Sequence, residues 1–81
     1  MKLNYTPHFV RNYSKAPADI QRAFHKQALL LLENPKHPSL RAKKYDESAE
    51  LWQARVTRGW RFYFTIEGDT CRMLEIKAHP K

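Results

Sequence analysis

Two hydrophobic periods divide the chain. From Leu51 onward the period is two: Trp52, Ala54 and Val56 alternate with Gln53, Arg55 and Thr57, and Phe62, Phe64 and Ile66 alternate with Arg61, Tyr63 and Thr65. That alternation predicts two half-buried strands, Leu51 to Thr57 and Trp60 to Ile66, joined by a tight turn at Arg58-Gly59. A second turn at Glu67-Gly68-Asp69 leads to a third strand, Cys71 to Lys77, with Leu74 and Ile76 supplying its apolar face. Upstream the spacing is helical. Ile20, Ala23, Phe24, Ala28 and Leu31 form one stripe of a helix from Pro17 to about Glu33, which Asn34-Pro35 ends. A shorter helix, Pro7 to about Ser14, starts at a Thr6 cap with proline in its first turn and carries Phe9 and Tyr13 on one face. Residues Lys2 to Thr6 make a short opening strand, and Lys36 to Leu40, constrained by Pro35 and Pro38, an extended loop between helix and sheet. The expected architecture is α+β in the order β-α-α-β-β-β, with both N-terminal helices on one face of a mainly antiparallel sheet.

Length confines this pattern to a single domain over residues 1–81 with a small core. Cys71 is the only cysteine, so no internal disulfide staples the core, and marginal stability relieved by a partner is expected. A lone cysteine and an N-terminus without an apolar leader core point to the cytoplasm. The longest apolar run, Ala28 to Leu32, is far too short for a bilayer span, so no membrane partner is expected.

Charge changes the picture most. Fifteen Lys and Arg against eight Asp and Glu give +7, spread along the chain rather than gathered in a tail, so the excess belongs on the folded surface and a polyanion is the natural partner. If the apolar strand sets face the helices, Arg55, Arg61, Tyr63, Lys77 and, just past the last strand, His79 project from the opposite face. No acidic residue interrupts 36–45 or 53–66, so Lys36, His37, Arg41, Lys43 and Lys44 extend that surface along its rim. Arginine holds phosphate oxygens in bidentate fashion, and aromatic rings stack on bases splayed from single-stranded RNA. Cleavage of RNA by its own 2'-hydroxyl needs a proton acceptor, cations for the phosphorane-like charge and an acid for the leaving 5'-oxygen, and it needs no metal. The four histidines lack ligand spacing, and Asp46, Glu47 and Glu50 read as a solvated loop, so neither a metal nor another cofactor is expected. Two glycines cannot build a phosphate-cradling loop, and no nucleophile elbow or Cys/His constellation is present, which removes nucleotide hydrolysis and covalent catalysis.

The order of elements, together with Tyr5-Thr6-Pro7-His8-Phe9, the basic segment His37 to Lys44 and the hairpin Leu51 to Phe64 with its paired arginines, resembles the RelE/ParE superfamily of bacterial toxin-antitoxin toxins over nearly the whole chain. The resemblance implies a ribosome-dependent mRNA endonuclease that inhibits translation and is neutralised by a cognate antitoxin. It makes Arg61 the contact to the scissile phosphate, Arg55 its support, Lys43 and Lys44 a basic pair with Lys44 as candidate base or charge stabiliser, and His79 the C-terminal acid or base. One departure is visible: where many nuclease members carry an aromatic residue just past the last strand, His79 is followed by Pro80, and Tyr63 is the candidate substitute. The superfamily's other branch, ParE-like inhibitors of DNA gyrase, shares the fold without cleaving RNA. A non-enzymatic RNA-binding module is the third reading, separated from the first by whether Arg61→Ala abolishes cleavage or merely weakens binding.

Overall fold

The computed structural model describes residues 1–79. Its elements are β1 (Lys2–Tyr5), α1 (Pro7–Lys15), α2 (Ala18–Glu33), a 3-10 turn (Pro38–Leu40), β2 (Lys43–Asp46), β3 (Leu51–Thr57), β4 (Trp60–Glu67) and β5 (Thr70–Ala78). They build one five-stranded sheet in the order β1-β5-β4-β3-β2, antiparallel except for the parallel β1–β5 pair. The expected α+β arrangement is present, with one strand more than the periodicity predicts. β2 is a four-residue edge strand, exposed throughout, and its Lys-Lys-Tyr-Asp sequence offers no apolar alternation by which to recognise it.

Local chemistry explains the first turn of α1. Thr6 Oγ1 accepts from the Phe9 amide at 3.2 Å and donates to the Met73 carbonyl at 2.9 Å, so one hydroxyl both caps the helix and ties it to β5. Pro7 occupies the first helical position, where its missing N–H leaves nothing unsatisfied. At the other end of the helical pair, Asn34 stops α2 and its side chain accepts from the Lys36 amide at 3.0 Å.

An aromatic column joins the layers. Phe9 of α1 lies 5.1 Å from Phe24 of α2, Phe24 meets Phe62 of β4 edge-on at 5.2 Å, and Phe62 stacks on Phe64 at 5.5 Å. All four are almost completely buried, together with Leu31, Leu40, Ala54, Met73 and Ile76. β5 departs from the expected parity. Tyr63 pairs with Glu75 and Phe64 with Met73, so Leu74 is the extra residue of a bulge, and Cys71 and Met73 supply the apolar face upstream of it in place of Leu74. The free Cys71 thiol is buried, and desolvation pushes it up to about 12, consistent with a packing role.

One buried polar side chain orders the loop that precedes the sheet. Gln27 on α2 donates to the carbonyls of Ser39 at 3.0 Å and Arg55 at 2.9 Å, pinning the 3-10 turn and β3 to the same helix. Gln27→Leu is expected to cost about 1–3 kcal/mol, because the two carbonyls lose a buried donor. Urea denaturation checks this: an unchanged midpoint would show that water or another donor takes its place. Among the described residues, no helix is long and apolar enough to cross a membrane.

Candidate nucleic-acid interface

Strand register decides what shares the sheet face away from the aromatic column. Side chains of directly paired residues lie on one face, next to one another. Arg55 pairs with Arg61 and Arg61 with Lys77, giving a row of three cations across β3, β4 and β5. The next row runs Lys43, Gln53, Tyr63, Glu75. Like charges placed directly opposite one another destabilise a sheet, so the first row is a standing electrostatic cost. No carboxylate offsets it: among the described residues no lysine or arginine forms an ion pair.

The two arginines are held differently. Arg61 is clasped by the hairpin, its Nη1 donating to the carbonyls of Thr57 at 2.7 Å, Trp60 at 3.0 Å and Arg58 at 3.1 Å. The clasp fixes the direction of the guanidinium and leaves Nη2 and Nε for a ligand. Arg55 has a buried Nε without a hydrogen-bond partner. Desolvation, and after it the charges of Arg41, Arg61 and Arg58, hold its guanidinium below the usual arginine value. Four arginines therefore converge on one place, and an anion beside them would offset their mutual repulsion.

His79 follows β5 directly. Its amide donates to the Gly59 carbonyl at 2.7 Å, which brings this exposed residue to the same hairpin whose turn carbonyls hold Arg61. Pro80, noted above as the departure from an aromatic residue, and Lys81 lie outside the described residues.

Other candidates are placed elsewhere. Lys44 pairs with Trp52, which pairs with Phe64 of the core, so Lys44 lies on the helix side with its Nζ 5.7 Å from the Trp52 ring. The structure does not bring it to the arginines; Lys43, one residue earlier, takes the open side. Lys36 lines a cavity on the helix side, and so does His37, whose Nδ1 accepts from the Ser39 amide at 3.2 Å and caps the 3-10 turn. Arg41 lines the same cavity yet is the largest neighbouring charge felt by Arg55, so it stands between the two surfaces.

Tyr63 is on the expected face but is only 6% exposed. Desolvation, then the neighbouring Tyr45, raises its phenol, and Lys77 Nζ sits 5.3 Å from its ring. The accessible aromatic is Tyr45, 58% exposed and edge-on to Tyr63 at 5.2 Å. Tyr45 lies outside the hydrophobic alternation because β2 is exposed throughout and has no buried face. The two-residue spacing of Lys43 and Tyr45 was the available signal.

Glu75 is the carboxylate nearest this face in register, but both its oxygens are engaged. Oε2 accepts from His8 Nε2 at 2.7 Å; Oε1 accepts from the Asn12 amide group and from the Ile76 N–H. Burial alone raises its pKa, yet the hydrogen bonds from His8 and Asn12 outweigh that and hold it below the usual range. The group is thus a staple between α1 and β5 rather than a free base. Because the folded-state pKa is lowered, its contribution is present above the unfolded glutamate value and is lost as pH falls through the folded one. For this partly exposed pair the contribution is about 1 kcal/mol. Thermal unfolding at pH 6 and pH 3 is expected to show a smaller acid-induced loss for Glu75→Gln than for the wild type; equal losses would remove the staple.

No protein-family model and no curated protein sequence matches the chain. Solved structures do. A YoeB/ParE toxin from Agrobacterium tumefaciens superposes with a TM-score of 0.80 at 17% identity, over 99% of this chain and 100% of that one. The RelBE2 toxin-antitoxin complex of Mycobacterium tuberculosis gives 0.78 at 22% identity, over 96% of both chains. YafQ of Escherichia coli gives 0.79 at 14% identity, over 96% of this chain and 92% of that one.

Proposed function

We propose that this chain, which has the fold of the RelE, YoeB and ParE toxins, is the toxin of a toxin-antitoxin pair, an endoribonuclease that cuts mRNA on the ribosome. The observation that carries the reading is the Arg55–Arg61–Lys77 row, an uncompensated cation cluster built into the sheet at a cost to stability, with His79 at its hairpin end. In the reaction the RNA 2'-oxygen attacks the adjacent phosphorus and its proton goes to a base. The bond from phosphorus to the 5'-oxygen breaks, and that oxygen takes a proton from an acid. Arg61, aimed by its clasp, holds the equatorial oxygens with Arg55 as the charge develops. His79 is the proton donor, and Lys43, on the open face, replaces Lys44 as the basic residue beside the substrate. No metal enters this scheme.

An antitoxin partner fits the helical side. Val10, Leu29 and Leu32 are exposed there, and Tyr5 is 45% exposed beside a groove between α1 and α2. Several solved neighbours are themselves toxin-antitoxin complexes.

Product-end analysis tests the reaction. Cleavage of ribosome-bound mRNA is expected to leave a 2',3'-cyclic phosphate upstream and a 5'-hydroxyl downstream; a 3'-hydroxyl and a 5'-phosphate would exclude attack by the 2'-oxygen. Tyr45→Ala is expected to lower the cleavage rate about tenfold, the loss of one stacked base, whereas Tyr63→Phe leaves it unchanged. The reverse pattern would remove Tyr45 as the stacking residue and assign a role to the Tyr63 hydroxyl, the only group that Tyr63→Phe deletes.

A further inference from the structure

On the helix side of the sheet, the segment leading from α2 to β2 overhangs the ends of β3 and β4 and leaves a cavity of about 480 Å³. That volume lies within the ~300–1,000 Å³ range of small-ligand sites. Trp52, Phe64 and Ile66 form its apolar floor, and Lys36 and Arg41 stand at its mouth with no carboxylate among the lining residues. The Trp52 and Phe64 rings are almost parallel, at 11°, with centroids 6.4 Å apart. Lys44 adds a further cation beside the indole.

These features select a ligand. The backbone around the mouth is already paired within itself: the Lys36 amide with Asn34 Oδ1, the His37 amide with the Asn34 carbonyl, the Leu40 amide with the His37 carbonyl and the Arg41 amide with the Pro38 carbonyl. An incoming peptide strand therefore finds few groups to bond. A base held through its π-face and a phosphate held by cations need none of them.

We propose that this cavity is a nucleotide subsite, in which a base stacks on Trp52 and its phosphate lies against Lys36 and Arg41, in an RNA strand that also crosses the Arg55–Arg61–Lys77 row. The link is Arg41, which lines the cavity and is also a neighbour of Arg55. The subsite rests on RNA being the ligand of that row and does not depend on cleavage.

The test uses a single-stranded 2'-O-methyl oligonucleotide, which this mechanism cannot cleave, and the full chain with Trp60→Phe so that Trp52 is the only tryptophan, excited at the red edge where tyrosine does not absorb. Overall binding is followed by anisotropy of a dye on the oligonucleotide. The expected result is quenching of Trp52 at the same concentrations, with the affinity read at Trp52 weakened about tenfold by Lys36→Glu. The indole N–H resonance of Trp52 in the unsubstituted chain gives the same readout should Trp60→Phe disturb folding. Binding that leaves Trp52 unperturbed overturns the subsite alone, and absence of any binding overturns the RNA reading with it. A polyglutamate peptide that perturbs Trp52 where the oligonucleotide does not would assign the cavity to an acidic protein segment and overturn the proposal.

Discussion

Phe62→Ala is expected to cost about 3–5 kcal/mol, a large part of the stability an 81-residue chain has. Phe62 is fully buried at the centre of the aromatic column, edge-on to Phe24 and stacked on Phe64, so its removal loses transfer free energy and leaves a cavity that three elements share. No disulfide compensates, since the single cysteine is free. Phe62→Leu keeps most of the volume and is expected to cost clearly less. Urea denaturation of both variants decides the matter: a loss below about 1 kcal/mol in Phe62→Ala would mean that the column is not what holds the helices on the sheet.

The second large effect is on activity. Arg61→Ala is expected to lower cleavage by about 10²–10³, the usual consequence of removing one oriented donor to developing charge. RNA affinity should fall far less, because Arg55, Lys77 and Arg41 still supply charge. Arg61→Lys should not restore the rate: a lysine has neither the planar fork that clasps the turn carbonyls with Nη1 nor a second nitrogen left to meet phosphate. Single-turnover cleavage and filter binding on the same preparations separate the two quantities. Equal losses in rate and affinity would reduce Arg61 to a binding residue with no special role in the transition state, whereas RNA binding by the wild type without any cleavage would be the non-enzymatic reading.

Much of the fold was legible because its strands are one-sided. The alternation through Trp52–Val56 and Phe62–Ile66 marks both elements and the face each presents, and from that parity Arg55, Arg61 and Lys77 fall on the same side, as the register has them. Thr6-Pro7 and Asn34-Pro35 mark helix ends because capping and proline chemistry are local. The Leu74 bulge was not legible: one extra residue inverts strand parity, and nothing in Met73-Leu74-Glu75 says which residue is extra. β2 was missed for a related reason. An edge strand without a buried face has no period to read, and with it went the sides of Lys43, Lys44 and Tyr45. Tyr63 was correctly placed by parity, but its burial under Tyr45 depends on that unseen strand.

The most direct test of the central claim is a primer-extension map of mRNA in a purified translation system, run with and without ribosomes for the wild type, Arg61→Ala and His79→Ala. The account predicts new 5' ends inside ribosome-bound codons, absent without ribosomes and lost in both variants. An unchanged map, with the same chain blocking supercoiling by DNA gyrase in a ribosome-free assay, would contradict it.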